Sequence, residues 1–155
     1  MAVREYKDFR IRIDPESTRG EGYPVSVISS PAGESREDIR MFLRPDQSPL
    51  LDDLNAFWQG GNSRDRLHKI GVALFESLFV NSATKDGRHV GKIDRLFSQS
   101  LADIIKPSKE AHLDYGLRIR LDIQAPDLKN IPWELMIRPD QHALFLSPVP
   151  ITPII

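Results

Sequence analysis

Residues 117–136 read LRIRLDIQAPDLKNIPWELM, and the first seven of them predict the strand around which the rest of the chain is arranged. Apolar and charged residues alternate strictly over these seven positions, which is the period-two pattern of a half-buried strand. One face of the strand is therefore predicted to join a core, and the other face to carry charge. The apolar face consists of Leu117, Ile119, Leu121 and Ile123, and the charged face of Arg118, Arg120 and Asp122.

The charged face has two interpretations. Arginine and aspartate side by side on a strand are typical of a solvated sheet face that forms ion pairs with its neighbouring strand. The alternative is an anion-binding strip made by Arg118 and Arg120. The pattern alone favours the solvated face and leaves the strip open.

The second half of the stretch predicts two short turns. Pro126 and Pro132 break the strand, and each suits the first position of a helical turn. Trp133 is predicted to anchor the core, with a binding-site aromatic as the alternative. Glu134 has three possible roles: it could complement a helix dipole, pair with an arginine, or act as a catalytic carboxylate.

Upstream of this stretch, three more strands are predicted. Tyr6–Asp14 alternates apolar and charged residues, and Tyr23–Val27 follows after a polar turn, so the two are expected to form a hairpin. Asp38–Leu43 is predicted to be a short strand, because Pro45 leaves little room for a helix.

Three helices are predicted before residue 117. The first is Ser48–Gln59, which opens on a serine cap and a proline. The second begins at a cap in residues 62–63 and carries an apolar stripe through Phe79. The third is Arg88–Ile105, and Pro107 is expected to stop it.

Together these elements predict an α+β fold, with a mainly antiparallel sheet of about four to five short strands. Two longer helices and one shorter helix would pack on the sheet. Residues 1–147 are expected to form a single domain, since a chain of 155 residues is of single-domain size. Residues 148–155 hold three prolines and are expected to be an extended connector.

Composition narrows the functional classes. The formal net charge is −1, which gives no strong attraction to nucleic acid or to an anionic membrane. The chain has no cysteine and its first residues lack an apolar signal core, so a reducing cytoplasm is expected. No histidine pair has metal-ligand spacing, and no glycine-rich phosphate loop is present. Catalytic, cofactor-binding and metal-binding residues are therefore not predicted.

Three segments carry a resemblance to a known family: LRIRLDIQAPDL, then IPWELM, then ALFLSPVPITPII at residues 143–155. In this order they resemble the region just upstream of the caspase-like core in CHAT-domain proteins. These are bacterial relatives of caspases and separases, often associated with tetratricopeptide repeats and with defence or cell-death systems. Residues 6–45 are similar to the family more loosely.

The resemblance implies a non-catalytic part of a larger peptidase. Such peptidases use a histidine and a cysteine, and this chain has no cysteine onto which the nucleophile could be transferred. The implied partners are a caspase-like core following Ile155 and an activating protein. The alternatives are a free-standing protein-interaction module and an enzyme with an unrecognised site. The structural or interface candidates are Leu117, Ile119, Leu121, Pro132, Trp133, Glu134 and Phe145.

Overall fold

Six strands and three α-helices are present in the computed structural model, which describes residues 4–35, 38–46, 49–60, 63–84, 86–111, 114–137 and 151–154. Only the backbone is described at residues 4–5, 105–111, 114–116 and 151–154. The elements are β1 (Arg4–Ile13), β2 (Tyr23–Ser29), β3 (Ile39–Met41), α1 (Leu50–Trp58), α2 (Arg64–Phe75), a π-helical turn (Glu76–Val80), β4 (Ala83–Thr84), α3 (Lys92–Ala111), β5 (Asp114–Ile123), two 3-10 turns (Pro126–Leu128 and Trp133–Leu135) and β6 (Ile151–Ile154).

The strands form one sheet in the order β4-β3-β2-β1-β5-β6. The first four strands pair with their chain neighbours in antiparallel fashion. β5 instead lies parallel to β1 over ten residue pairs, from Arg4 opposite Asp114 to Ile13 opposite Ile123. β6 is parallel to β5. The α+β class is confirmed, and the sheet is mixed and has six strands in the described residues.

Only one face of the central strands is buried. Phe9, Ile11 and Ile13 of β1 are fully buried, and so are Leu117 and Ile119 of β5. The residues between them lie on the opposite face. This is the division that the alternating pattern predicts, because successive side chains of a strand point to opposite sides of the sheet.

An aromatic cluster joins the helices to the buried face. The ring of Phe9 lies 5.4 Å from that of Phe97 on α3 and 6.1 Å from that of Phe79. The rings of Phe75 and Phe79 stack 4.6 Å apart at the junction of α2 and the π turn. β1, α2 and α3 therefore share one core. Among the described helices, none combines the length and the apolarity needed to cross a bilayer.

The helix starts follow local sequence signals. The Ser63 hydroxyl accepts a hydrogen bond from the Arg66 backbone N–H at the start of α2, as the cap in residues 62–63 predicts. α1 begins at Leu50, directly after Pro49. The expected cap Ser48 lies outside the described residues.

The predicted bounds of the third helix are wrong at both ends. Gly91 has a φ of +73°, so α3 cannot extend back to Arg88 and begins at Lys92. At the other end α3 passes Pro107 and ends at Ala111. Leu101 and Ile104 are buried in the core near this end. Packing of that face helps to keep the helix intact through the proline, because tertiary contacts supply most helix stability in proteins.

The segment 148–155 contains a strand. Residues Ile151–Ile154 pair in parallel with Leu117–Arg120 of β5. An extended path is what the prolines predict, and these four extended residues form part of the sheet. Pro153 is tolerated there because β6 is an edge strand of the described sheet.

Candidate interface

The apolar candidates on β5 belong to the core. Leu117 and Ile119 are fully buried, and Leu121 is 9% exposed. Their strand lies between β1 and β6. The side chains that β5 offers to a partner are consequently the charged ones of its other face.

The Pro-Trp-Glu segment, residues 132–137, is held against the core by its first two residues. Pro132 and Trp133 are buried, and the Trp133 indole N–H donates a hydrogen bond of 3.0 Å to the Leu128 carbonyl. Trp133 is thus a core anchor with a satisfied indole. Glu134 is exposed at the second residue of its 3-10 turn. Phe145 lies outside the described residues.

Helix α2 approaches this segment at a glycine. A Cβ atom at Gly71 would lie 2.1 Å from the Leu135 carbonyl oxygen, a distance that real Cβ atoms do not adopt. The Ile137 backbone N–H donates a 3.1 Å hydrogen bond to the Gly71 carbonyl. The Pro-Trp-Glu segment is therefore bound to α2 backbone to backbone, and only glycine permits that approach.

The face of the sheet opposite the core, called the open face below, carries ion pairs between β1 and β5. Arg118 Nε donates to Asp8 Oδ1 at 2.7 Å, and Arg120 Nε lies 3.4 Å from Asp8 Oδ2. A further pair lies within one segment, where Arg12 Nε of β1 donates to Asp14 Oδ1, one residue past the strand, at 2.9 Å. The hydrogen bond from Arg118 is the main reason why the pKa of Asp8 is lowered. The predicted cross-strand ion pairs on this face are confirmed.

A β-bulge interrupts the hairpin beside these ion pairs. Arg10 pairs with Ser29, and the next residue, Ile11, pairs with Val27. Ile28 is therefore the extra residue of β2, and its side chain is 41% exposed on the open face. Next to it is a depression of about 230 Å³, lined by Arg10, Ile11, Ile28, Arg120, Leu121 and Asp122.

A larger pocket, of about 620 Å³, lies where β1, β3 and β5 reach their carboxyl ends. Glu16 accepts hydrogen bonds from both terminal nitrogens of Arg44, at 3.1 and 3.2 Å, and one of 2.8 Å from the Gly22 N–H. This arrangement satisfies the carboxylate and connects the β1–β2 turn to the exit of β3. Trp58 is 51% exposed at the same pocket.

Tyr23 and Asp127 form the other polar contact of this pocket. The Tyr23 hydroxyl donates to Asp127 Oδ2, which connects the start of β2 to the turn after β5. Burial, followed by the hydrogen bond to Asp127, raises the pKa of Tyr23. The phenol is thereby kept protonated, which is the opposite of what a general base or a nucleophile requires.

The candidate site also lacks the groups for metal chemistry in the part of the chain that the structure describes. No cluster of three or more histidine, cysteine, aspartate or glutamate side chains could hold a metal ion there. His68 is exposed on α2.

Sequence reasoning missed three features of these surfaces. Alternation places Arg10 on the charged face, but it does not reveal that Arg120 is the residue directly opposite. The bulge at Ile28 has no sequence signal in the uninterrupted run Tyr23–Ser29. The bond between Tyr23 and Asp127 joins residues 104 positions apart and likewise leaves no local pattern.

The chain matches no protein-family model, no curated protein and no solved structure.

Proposed function

We propose that this chain is a non-catalytic N-terminal scaffold and regulatory region of a bacterial CHAT-type caspase-like cysteine peptidase. The parent protein would act in a cytoplasmic defence or cell-death signalling system. The resemblance over residues 117–155 supports the family, and the absence of cysteine supports a non-catalytic part. The chain would pack against a caspase-like core that follows Ile155.

The observation that carries this proposal is the outer edge of β6. β6 is the last strand of the described sheet, and it follows the Pro-Trp-Glu segment in the chain. An edge strand presents unpaired backbone donors and acceptors, and a further strand can satisfy them by addition. A caspase-like sheet placed beside β6 would thus continue the sheet of this chain.

A regulatory route follows from the same geometry. The Pro-Trp-Glu segment is fixed to α2 at Gly71, and β5 is fixed to β1 through Asp8 and Arg118. A partner that shifts α2 would move the segment leading to β6 with it. In the proposed mechanism this shift changes the population of active-site loop conformations in the core.

The first test is to read the coding sequence beyond the codon for Ile155. The proposal expects a caspase-like segment with a histidine followed by a cysteine. The intact protein, a variant with that cysteine changed to alanine, and a variant lacking residues 1–147 are then assayed for peptide cleavage with and without cell extract. Loss of regulated cleavage in the truncated protein supports the regulatory role. Normally regulated cleavage after the truncation would overturn it.

A free-standing protein-interaction module is the second candidate function. The exposed Ile28 and the charged residues around it on the open face favour this candidate, because they need no peptidase core to bind a partner. A stop codon directly after Ile155 would overturn the peptidase proposal and leave the module. Partner capture with the isolated chain, compared with a variant altered on the open face, would then test it.

A further inference from the structure

The depression at the β-bulge combines features that a purely structural sheet face does not need. Arg10 and Arg120 are direct cross-strand neighbours on β1 and β5. Like charges in this position destabilise a sheet, whereas the flanking pairs are complementary: Asp8 lies opposite Arg118, and Arg12 opposite Asp122. The repulsion is thus confined to one pair at the centre of the face.

Neither guanidinium of this pair has its charge fully matched within the described residues. The shared carboxylate of Asp8 is bound by Arg118 at 2.7 Å, which leaves Arg120 with a 3.4 Å ion pair. Arg120 Nε is buried and has no hydrogen-bond partner among the described residues. Arg10 is exposed, and it attracts the same carboxylate, Asp8, that Arg118 already binds.

The bulge places an apolar group beside these charges. Because Ile28 is the extra residue of β2, it has no partner on β1 and stands next to Arg10. Bulges are frequent beside functional sites, where they redirect a side chain. The depression therefore has two arginines, one exposed isoleucine and one carboxylate, Asp122, at its wall.

We propose that this depression is a docking site for a glutamate or aspartate side chain of a partner protein, with Ile28 contacting an apolar neighbour of that residue. Two arginines and Asp122 leave a net charge of +1, which one carboxylate neutralises. A dianionic phosphate would bring more negative charge than this lining neutralises. Paired guanidiniums suit a carboxylate because each can donate to it through two N–H groups.

This docking site does not depend on the peptidase proposal, since it requires only the open face of the sheet. The probes are the peptide acetyl-Val-Glu-Val-amide and its glutamine counterpart, titrated into the full chain at constant ionic strength. Binding is followed by NMR on the arginine Nε–Hε signals. The expected result is a saturable shift of the Arg10 and Arg120 signals with the glutamate peptide, and binding weaker by about tenfold with the glutamine peptide.

Matched variants locate the binding. Arg10→Gln and Arg120→Gln are each expected to weaken binding of the glutamate peptide by about tenfold, and Ile28→Ser is expected to weaken it by a few fold. Arg19→Gln, in the exposed β1–β2 turn, should change it less than twofold.

Removing the repulsion should also raise the thermal midpoint of Arg10→Gln by about 1–3 °C. A purely structural role for Arg10 predicts a lower midpoint instead.

Three results would overturn the proposal. The first is equal binding of the two peptides, which would make the contact merely apolar. The second is a saturable shift with inorganic phosphate but none with the glutamate peptide, which would assign the site to phosphate. The third is the absence of any saturable shift at Arg10 and Arg120.

Discussion

At the residue scale, Gly71 is the described glycine at which an added Cβ would make the shortest contact. We expect Gly71→Ala to lower the free energy of unfolding by about 1–3 kcal/mol, because the new Cβ must displace the Leu135 carbonyl and the hydrogen bond from Ile137. This net loss already includes the gain of about 1 kcal/mol that alanine brings to a helix. Urea unfolding followed by tryptophan fluorescence measures it.

The control for Gly71 lies on the same helix. Lys69 is exposed on α2, so Lys69→Ala should change the free energy of unfolding by less than about 0.5 kcal/mol. If Gly71→Ala were as stable as this control, α2 and the Pro-Trp-Glu segment would not be in backbone contact.

We expect the protein to lose stability at high pH because of Tyr23. Its folded-state pKa is raised above the value of about 10 for an unfolded tyrosine, mainly by burial and then by the bond to Asp127. Its contribution is fully present below pH 10 and is lost as the pH rises further, because the unfolded state then releases the proton more readily. Tyr23→Phe should lower the free energy of unfolding by about 0.5–1.5 kcal/mol at pH 7. Between pH 10 and 11.5, the free energy of unfolding of this variant should fall less than that of the native protein.

Two measurements check the Tyr23 prediction. Urea unfolding at several pH values gives the difference between the native protein and Tyr23→Phe. The ultraviolet titration of the phenols, native minus variant, should show no Tyr23 contribution near pH 10. A normal contribution there would mean that Tyr23 is neither buried nor bonded to Asp127.

Local sequence identified those residues whose role is decided by their own strand or turn. Trp133 was predicted to anchor the core, and it is buried with its indole bonded to Leu128. The sequence predicts a helix cap in residues 62–63, and Ser63 provides it. The role of Gly71 was not predicted, because a glycine in an apolar stripe has the same pattern whether or not a distant backbone passes over it.

At the element scale, α3 shows how packing can override a local stop signal. Proline in a helix interior lacks a hydrogen bond and clashes with the preceding turn, yet α3 continues to Ala111. We expect Pro107→Ala to raise the free energy of unfolding by about 1–3 kcal/mol. Ser108→Ala, one position on, is the control and should change it by less than about 0.5 kcal/mol. If the two variants were equally stable, the helix would end before Pro107.

The strands could be predicted more completely than their pairing. Alternation predicted the regions of β1, β2 and β5, Pro45 favoured a strand over a helix at β3, and the polar turn predicted the β1–β2 hairpin. The parallel pairing of β1 with β5 was missed, since it joins residues about 110 positions apart. Such pairing is decided by which apolar faces share a core, here through Phe9 and Phe97, and not by any local turn.

At the scale of the whole molecule, the sheet has one buried face and one charged face, and its edges are β4 and β6 in the described residues. The open face bears the proposed docking site for an acidic side chain, and the β6 edge bears the proposed contact with a peptidase core. The two surfaces adjoin at β5, because Arg120 of the depression pairs with Ile154 of β6. The two proposals use different groups, namely side chains on the open face and backbone groups at the β6 edge.

The final prediction concerns β6 as the cover of β5. Its residues pair with Leu117–Arg120, so deleting residues 148–155 would expose the outer edge of β5. We expect the shortened chain to unfold at lower urea concentration and to associate as its concentration rises, because an unprotected strand edge pairs with another copy. Sedimentation velocity at several concentrations measures this, and a chain lacking residues 1–3 is the control for shortening a terminus. A shortened chain that stayed monomeric and as stable as the control would show that β6 does not cover β5, and the proposed route from α2 to a peptidase core would lose its last step.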